Sequence, residues 1–557
     1  MSARDQSTSP AIVAISGHVG SGKSTLGAEL ASRYGALHLR TQELMRTVAE
    51  ERGDSLPNER GALQRYGEQL DVETAGQWVS REVADILTAD GDHPLVVVDS
   101  VRQLSQVSSL REAFPGRIIH IHLTAPLQVL EERYEQRRKT SSMQELATYS
   151  AVAADEIEKN VETLENDADV AIDTDRCTHL DVLTRAAAAL HLLPSRRDRL
   201  VDVLIGGQYG SEGKGNIAYY IAPGYDVLMR VGGPNAGHKV PTEPAYTHRL
   251  LPSGTLANPQ ALLLIGPGAT LDIAQLQEEI AHCGVESGRL IIDRQAMIIE
   301  PQDKISEQSV VAEIGSTGQG GGAAAARRIV GRSSASTPPV RLAHQVTELA
   351  AFIGSTADAL QAAYSKNQRV LLEGTQGTSL SIFHGIYPHV TSRDTTTAGT
   401  LAEAGIAPHR VDRVIVVVRA YPIRVGNPTN TDAEETGQSG WMGQEISWEL
   451  VAERSGSDLE ALVGAEVGSV TARKRRVAEF DWHQLSRAAE INGATDIALT
   501  FADYIDVANT RARRYDQLTP QTLQFIEGIE RVTQAPVTLI ATRFDPRSVI
   551  DRRDWTR

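Results

Sequence analysis

Two glycine-rich loops carry the residues best suited to phosphate chemistry. The first, Gly206–Gly215, reads GGQYGSEGKG and follows the apolar run Val201–Ile205, and the second, Gly232–His238, reads GGPNAGH and follows Val227–Val231. The backbone N–H groups of such a loop, with a lysine ammonium, can surround a phosphate where a strand ends. The first loop is not a Walker A loop, because one extra residue precedes its Gly-Lys pair and a glycine follows the lysine. The histidine that ends the second loop can act as acid, base or electrostatic clamp.

A third loop, Gly17–Thr25, reads GHVGSGKST and matches the GxxxxGK[ST] pattern at every position. It follows the buried-strand pattern Ala11–Ser16 and precedes a helical pattern, which is the context in which this motif binds a nucleotide. We expect Lys23 to reach the β- and γ-phosphates and Ser24 to ligate Mg²⁺, while Asp99, at the end of another apolar run, holds the ion through water. The loop residues assigned to nucleotide binding are Gly17, Gly20, Gly22, Lys23, Ser24 and Thr25.

The composition is that of a soluble globular protein with an acidic surface. The 557 residues include 71 acidic and 55 basic ones, a net charge of −16, and this balance argues against nucleic acid or an acidic membrane as partner. Two cysteines cannot build a disulfide framework or a thiolate metal site, no apolar run reaches membrane-spanning length, and the polar start lacks a signal-peptide pattern. These features predict a cytoplasmic protein.

The strand pattern begins afresh near residue 200, which predicts two α/β domains. We place a flexible start at 1–10, a P-loop nucleotide-kinase-like domain at 11–193, a linker at 194–199 and a second domain at 200–557. Eight strand candidates in the second domain alternate with helical patterns and predict a mostly parallel central sheet. They are Val201–Ile205, Val227–Val231, Leu262–Ile265, Leu290–Asp293, Arg369–Leu372, Val414–Val418, Ile497–Thr500 and Val537–Ile540. The glycine-rich, apolar-poor segment 314–339 is expected to stay mobile until a ligand binds.

Residues 11 to about 192 resemble the nucleoside-monophosphate kinases, including adenylate-kinase-like archaeal proteins with an Asp-Gly-Val-Arg turn. Here that turn reads DSVR, from Asp99 to Arg102. The resemblance implies that Arg40 and Arg46 bind the phosphate of an acceptor nucleotide, and a purine nucleoside monophosphate is the expected acceptor. One basic cluster has two possible roles: it is part of a lid that closes over phosphates, or it is a solvated helix face. Its members are Arg133, Arg137, Arg138 and Lys139.

Residues 200 to 557 resemble adenylosuccinate synthetase, whose fingerprints are a QWGDEGKG loop and an NAGH loop. The corresponding loops here read QYGSEGKG and NAGH. The resemblance implies a ligase that uses Mg²⁺ and ATP or GTP to phosphorylate the 6-oxo group of a purine nucleoside monophosphate, after which the amine of L-aspartate displaces the phosphate. It also implies a homodimer.

The resemblance assigns roles to individual residues. His238 stabilises the charge that passes between the donor and the 6-oxygen, Lys214 neutralises the same phosphates, and the Gly237 carbonyl helps to hold Mg²⁺. The purine nucleotide contacts are Asn235, Thr317, Gln376, Thr391, Arg473 and Arg332. The aspartate contacts, in an arginine-rich run suited to a dicarboxylate, are Thr471, Arg473 and Arg475. The donor nucleotide contacts are Gly213, Lys214, Gly215, Asp503 and Thr542.

Ser211 is the main departure from the family pattern, because the family has a catalytic aspartate there that takes the purine N1 proton and helps to hold Mg²⁺. Serine at this place is shared with phage-type relatives that ligate aspartate to dGMP. We therefore expect GMP or dGMP as the acceptor, keep Ser211 among the catalytic residues and Mg²⁺ ligands, and consider Glu212 or a substrate-bound water as proton acceptor. An ordinary synthetase acting on IMP and a nucleotide-sensing protein without turnover are the alternatives.

Other departures concern the donor and the partner subunit. Phe501 and Arg543 replace residues of the family's guanine site and favour ATP as donor, whereas Asp503 favours GTP. Gln319 replaces an arginine of the segment 314–339. The arginine that the family lends across its dimer interface falls one residue before Arg332.

Overall fold

The structure is a computed structural model, and it divides into two compact units, Met1–Pro194 and Ser195–Arg557. It describes residues 11–90, 93–140, 145–146, 148–153, 160–193, 198–333, 337–426, 439–467 and 474–553. The predicted flexible start and most of the predicted linker, 194–197, lie outside the described residues. Within the described ranges no helix combines the length and the apolar content needed to cross a membrane.

The first unit is an α/β unit built on one parallel sheet. Its strands are β1 (Ala11–Gly17), β2 (Leu37–Arg40), β3 (Leu95–Asp99), β4 (Ile118–Thr124) and β5 (Val170–Asp173), in the order β2-β3-β1-β4-β5. Its helices are α1 (Lys23–Tyr34), α2 (Thr41–Arg52), α3 (Arg60–Thr74), α4 (Gln77–Asp90), α5 (Leu104–Ala113), α6 (Leu127–Arg138), α7 (Tyr149–Ala153) and α8 (His179–Ala189).

Both faces of this sheet are covered, which explains why its central strands are continuous apolar runs. On one face Val13 and Ile15 share a core with α1 and α8. On the other face Ile12 and Ala14 share a core with α2, α4 and α5. The loop Gly17–Thr25 is thereby held between β1 and α1, as the motif predicts.

The second unit contains a larger sheet of ten strands. These are β6 (Val201–Gly206), β7 (Val227–Arg230), β10 (Leu262–Ile265), β12 (Leu290–Asp293), β14 (Ile353–Gly354), β15 (Val370–Glu373), β16 (Val411–Arg419), β20 (Asp496–Thr500), β21 (Val537–Ala541) and β22 (Val549–Asp551). Their order is β14-β12-β10-β7-β15-β6-β16-β20-β21-β22, and of the pairs only β21 with β22 is antiparallel. The predicted mostly parallel sheet is confirmed, and all eight strand candidates lie in it.

Short strands and helices complete the second unit. The strands are β8 (His238–Val240), β9 (Tyr246–His248), β11 (Thr270–Leu271), β13 (Met297–Ile298), β17 (Ile423–Val425), β18 (Glu445–Ile446) and β19 (Arg475–Ala478). The helices are α9 (Lys214–Ile221), α10 (Ile273–His282), α11 (Pro301–Ser306), α12 (Gln308–Ile314), α13 (Gly321–Val330), α14 (Thr356–Ser365), α15 (Thr397–Ala404), α16 (Trp448–Ser455), α17 (Leu459–Ala465), α18 (Trp482–Asn492) and α19 (Pro520–Thr533).

Within the segment 314–339, which the sequence predicts to be mobile until a ligand binds, residues Gly321–Val330 form helix α13. The four alanines 323–326 have the highest helix propensity of any residue type. The carboxylate of Glu307 accepts hydrogen bonds from the N–H groups of Gly320, Gly322 and Ala323, at 2.7, 2.7 and 3.1 Å, and so caps the start of the helix.

Candidate active site

A cavity of about 660 Å³ in the second unit lies against loops that follow the parallel strands β6, β7 and β15. The carboxyl ends of such strands are where open α/β sheets bind ligands. Seven residues assigned from the sequence line this one cavity: Ser211, Asn235, Gly237, Thr317, Gln376, Thr391 and Arg475. Residues far apart in the chain are thus brought together as the resemblance implies.

Gln376 presents an unused acceptor to this cavity. Its backbone has φ +62°, in the left-handed region that a non-glycine residue enters at a cost of about 1–2 kcal/mol. Its Nε2 donates to the Thr391 hydroxyl at 2.6 Å, while its buried Oε1 has no hydrogen-bond partner among the described residues. The same holds for the buried hydroxyl of Thr317. Such atoms fit a polar ligand, because an unpaired buried polar group is costly.

His238 lies beside the cavity in a buried network with Glu373 and Ser253. His238 Nδ1 donates to Glu373 Oε1, which also accepts from the Ser253 hydroxyl, and the Ser253 N–H donates to Oε2 at 2.7 Å. Because the proton of the neutral ring is on Nδ1, where it is donated to the carboxylate in a hydrogen bond, Nε2 keeps a free lone pair. That Nε2 is buried without a partner among the described residues. The network therefore fixes both the orientation and the tautomer of His238.

The charges around this network keep Glu373 ionised and His238 neutral. Burial, with a contribution from Arg230, lowers the pKa of His238 to about 4, although Glu373 opposes that shift. Burial alone would raise the pKa of Glu373, but Arg230, His238 and Ser253 together hold it at about 2. Arg230 Nη1 lies 3.8 Å from Glu373 Oε1. A phosphate arriving near His238 would add negative charge and favour the imidazolium, which Glu373 is placed to stabilise.

Lys214 and Glu212 form an internal ion pair within the first loop. Lys214 Nζ lies 2.7 Å from Glu212 Oε2, and Glu212 Oε1 accepts from the N–H groups of Gln208 and Gly210 at 2.9 and 2.7 Å. Glu212 is fully buried and does not line the cavity. This geometry corrects the expectation for Glu212: it shapes the loop and positions Lys214, and it is not placed to take a proton from the purine.

The residues assigned to the donor nucleotide do not line this cavity, although Lys214 contacts the carbonyl of Gly210, which does. Gly213 has φ +85°, and a side chain there would approach the Phe501 ring to 3.3 Å, so Phe501 is adjacent to the loop. Burial raises the pKa of Asp503 to about 7, and its buried Oδ1 has no partner among the described residues. A side chain on Gly215 would lie 2.5 Å from the carbonyl of Lys239, so only glycine fits there. The buried Thr542 hydroxyl donates to the carbonyl of Ser548 at 3.2 Å.

Of the aspartate contacts, only Arg475 can be described, because Thr471 and Arg473 lie outside the described residues. Arg475 Nη1 donates to Glu466 at 2.9 Å, and Arg419 Nη2 donates to the same carboxylate at 2.7 Å. Burial would raise the pKa of Glu466, yet the two arginines hold it at about 2. Arg332 is exposed and does not line the cavity.

Arg424 and Tyr209 also line the cavity, and the sequence analysis did not single them out. The Arg424 guanidinium lies 4.6 Å from the centre of the Tyr209 ring. Tyr209 stands in the first glycine-rich loop, but Arg424 lies in the short strand β17, where no motif marks it. The signal in the sequence that could have indicated Arg424 is its position between the apolar residues of a strand.

The first unit has its own cavity of about 680 Å³, lined by P-loop residues from Val19 to Leu26 and by Asp99. Lys23 Nζ donates to the carbonyls of Gly17 and His18 at 2.7 and 2.8 Å. Burial would raise the pKa of Asp99, but hydrogen bonds from His38 and Ser24 and the Lys23 charge hold it below its usual value. The adjoining oxygens of Ser24 and Asp99 fit Mg²⁺, a hard cation that prefers oxygen ligands.

The basic residues of the first unit divide into two groups. Those that line the cavity are Arg40, Arg60, Arg102, Arg133 and Arg137. Arg46 does not line it, and instead donates to the carbonyl of Leu56 at 3.4 Å and to Asn58 Oδ1 at 2.8 Å. Arg138 pairs with Glu135 on the exposed face of α6. Of the basic cluster, Arg133 and Arg137 therefore face the cavity, whereas Arg138 lies on the exposed face of the helix.

A family model described as adenylosuccinate synthetase matches residues 203–337 and 339–510. The chain belongs to the adenylosuccinate synthetase family. Its second unit is therefore a ligase that forms carbon–nitrogen bonds. A second family model, described as an AAA domain, matches residues 12–163, in agreement with the P-loop there.

Individual relatives cover the second unit almost completely. The adenylosuccinate synthetase of Methanocaldococcus jannaschii is 37% identical over 362 residues, which are 63% of this chain and 96% of the relative. The structure of the cyanophage S-2L succinoaminodeoxyadenylate synthetase (PurZ), bound to dGMP and dATP as an energy donor, is 26% identical with a TM-score of 0.52, and the match covers 64% of this chain and 96% of that one. The Plasmodium falciparum adenylosuccinate synthetase shares the fold, with a TM-score of 0.54 at 21% identity over 64% of this chain and 100% of that one.

Proposed function

We propose that the second unit ligates L-aspartate to a purine nucleoside monophosphate and that GMP or dGMP is a better acceptor than IMP. The observation that carries this proposal is Ser211 in the wall of the cavity that also holds Asn235, Thr317 and Gln376. A serine hydroxyl can accept a hydrogen bond from the 2-amino group of guanine, and it is shorter than an aspartate. The similarity to the cyanophage enzyme supports the same acceptor. The archaeal relatives support the alternative, IMP.

The chemistry divides among few groups. His238 Nε2 meets the phosphoryl group on its way to the purine 6-oxygen, and Glu373 stabilises the imidazolium that forms there. Lys214, already beside the loop carbonyl of Gly210 at 3.4 Å, neutralises phosphate charge. Mg²⁺, for which Ser211 and the Gly237 carbonyl supply oxygens, would add further charge stabilisation when bound. With Glu212 occupied, a substrate-bound water is our choice for the acceptor of the N1 proton.

For the phosphate donor we propose that ATP or dATP serves at least as well as GTP. Guanine selectivity requires polar partners that adenine would leave unpaired. Phe501 and Arg543 remove part of such an arrangement. Asp503 argues for guanine, although burial raises its pKa to about 7 and so disfavours the carboxylate that guanine would require.

We propose a second activity for the first unit, phosphoryl transfer from ATP to a purine nucleoside monophosphate. Its support is the cavity that joins Lys23, Ser24 and Asp99 to Arg40 and further arginines. We also propose that the two activities use separate pockets and that the protein is a homodimer in which Arg332 reaches the partner's nucleotide.

The experiment that tests the ligase is aspartate-dependent phosphate release from the purified full chain with dGMP, GMP, IMP and AMP. Turnover with dGMP, GMP or IMP identifies an aspartate ligase, and AMP, which has no 6-oxo group to phosphorylate, is the negative control. Nucleotide binding without turnover for all four would instead favour the sensing protein. Light scattering of the same preparation tests the homodimer.

A further inference from the structure

Arg424 is a buried cation with an unusual set of partners. Only 6% of the residue is exposed, and it lines the cavity of the second unit. Its two terminal nitrogens donate to the backbone carbonyls of Trp441 and His389, each at 3.1 Å, and its guanidinium carbon lies 4.6 Å from the centre of the Tyr209 ring. Within the described part of the chain, no carboxylate comes within ion-pair distance of it. Among the described residues its direct hydrogen-bond partners are thus uncharged, and Glu445 acts on it only as a charge beyond ion-pair distance.

The neighbouring arginines, in contrast to Arg424, form ion pairs with carboxylates. Arg475 pairs with Glu466 at 2.9 Å, and Arg476, the residue opposite Arg424 in the β17–β19 pair, pairs with Glu445. Taking an unpaired charge out of water costs several kcal/mol. Burial does lower the pKa of Arg424, to about 10, but leaves it protonated at neutral pH. A buried cation at a cavity wall is stabilised when an anionic ligand arrives.

The charged groups that line the cavity show where an anion would be bound. Among the described lining residues the cations are Arg424 and Arg475, and the acids are Glu307 and Glu313. The groups assigned to the nucleotide, such as Asn235, lie near the start of α13, since a side chain on Gly321 would lie 2.8 Å from Asn235 Oδ1. Arg424 and Arg475 instead come from the paired strands β17 and β19.

We propose that Arg424 binds a carboxylate of the amino-acid substrate, so that it and Arg475 form a dicarboxylate site on the small sheet. This inference rests on the proposed function of the second unit. A guanidinium presents a planar fork of N–H donors that matches a carboxylate. The contact with the Tyr209 ring and the hydrogen bonds to two carbonyls hold that fork in one orientation before the ligand binds, which reduces the entropy lost on binding.

The test measures binding without turnover. Succinate is a dicarboxylate that lacks the reacting amine, and its affinity for the full-length protein saturated with dGMP is measured by calorimetry. We expect Arg424→Gln to weaken succinate binding about tenfold or more, as the loss of a charged hydrogen bond predicts, while the dissociation constant of dGMP stays unchanged. Arg424→Lys should fall between, because it keeps the charge and loses the planar fork. In the ligation assay the same variants should raise KM for aspartate more than they lower kcat.

Arg410→Gln is the matched control. Arg410 is 7% exposed, stacks at 4.6 Å over Tyr364 and donates to the carbonyl of Asp198 at 3.3 Å, but it does not line the cavity. Equal losses of succinate affinity in Arg424→Gln and Arg410→Gln would overturn the inference, as would weaker dGMP binding with succinate affinity intact. Absence of turnover in the unaltered protein would contradict the proposed ligase activity alone, since succinate binding is measured independently.

Discussion

Replacing Glu373 by glutamine removes the carboxylate that orients His238. The lost interaction is a charge-assisted hydrogen bond, which contributes about 1.5–3 kcal/mol. At 1.36 kcal/mol per factor of ten, kcat should fall about 10- to 150-fold. The nucleotide KM should change little, because Asn235 and Thr317 are untouched. The interaction that is weakened, between His238 and the transferring phosphoryl group, is made in the transition state.

The pH profile gives a second readout with a definite sign. Glu373 raises the pKa of His238 against the effect of burial, so its removal lowers that pKa. If the imidazolium is the active form, the fall of kcat with rising pH should begin at a lower pH in Glu373→Gln than in the unaltered protein. Ligation rates across pH 5–9, with all substrates saturating, measure both quantities.

Two controls separate catalysis from folding. Arg230 is 2% exposed, and losing the carboxylate beside it can destabilise the protein by about 3–5 kcal/mol, so circular dichroism must show a folded variant. Ser253→Ala keeps the carboxylate and two of its three hydrogen bonds, those from His238 and from the backbone N–H of residue 253, and should lower kcat only a few-fold. A folded Glu373→Gln protein with kcat within about twofold of normal would refute the assigned role of the network, since that corresponds to less than 1 kcal/mol.

Three further outcomes are expected. Lys23→Ala should lower kinase turnover at least about 100-fold and leave ligation intact, whereas Lys214→Ala should do the reverse; loss of both activities in either variant would contradict separate pockets. ATP and dATP should give ligation rates at least equal to that with GTP, and a strict GTP requirement would exclude our donor assignment. Burial lowers the pKa of His122 to about 4, so as the pH falls the unfolded first unit binds a proton at this histidine before the folded unit does. The free energy of unfolding should therefore fall by up to about 3 kcal/mol between pH 6.5 and 4. Hydrogen exchange of β1 and β4 should show this slope, and His122→Leu should reduce it.

Much of the fold could be predicted because its signals are local. The apolar runs predicted the eight parallel strands, and the two loop motifs that contain a Gly-Lys pair predicted where a strand turns into a helix, since a short stretch of residues fixes each of these features. The seven assigned residues that line the cavity were predictable from the resemblance to adenylosuccinate synthetase, and some of them, such as Asn235 and Gln376, also follow parallel strands, whose ends meet at one edge of a sheet.

The remaining features depend on contacts between distant residues. Glu373 lies 135 positions from His238, so no spacing rule links them. Glu212 belongs to a glycine loop and looked available for chemistry, yet its side chain is used within that loop. Among the described residues Arg424 has no carboxylate partner because Glu466 pairs with Arg475 and Glu445 pairs with Arg476, and packing alone decides which residues pair. The helical state of Gly321–Val330 depends in part on the cap from Glu307.

The most direct test of the proposed function compares kcat/KM for dGMP, GMP and IMP with aspartate saturating. Ser211 predicts that dGMP or GMP is used more efficiently than IMP, because its hydroxyl accepts from the 2-amino group that IMP lacks. The Ser211→Asp variant should shift the preference towards IMP. An IMP preference of about tenfold in the unaltered protein, equal to about 1.4 kcal/mol, would contradict the account and identify an ordinary adenylosuccinate synthetase.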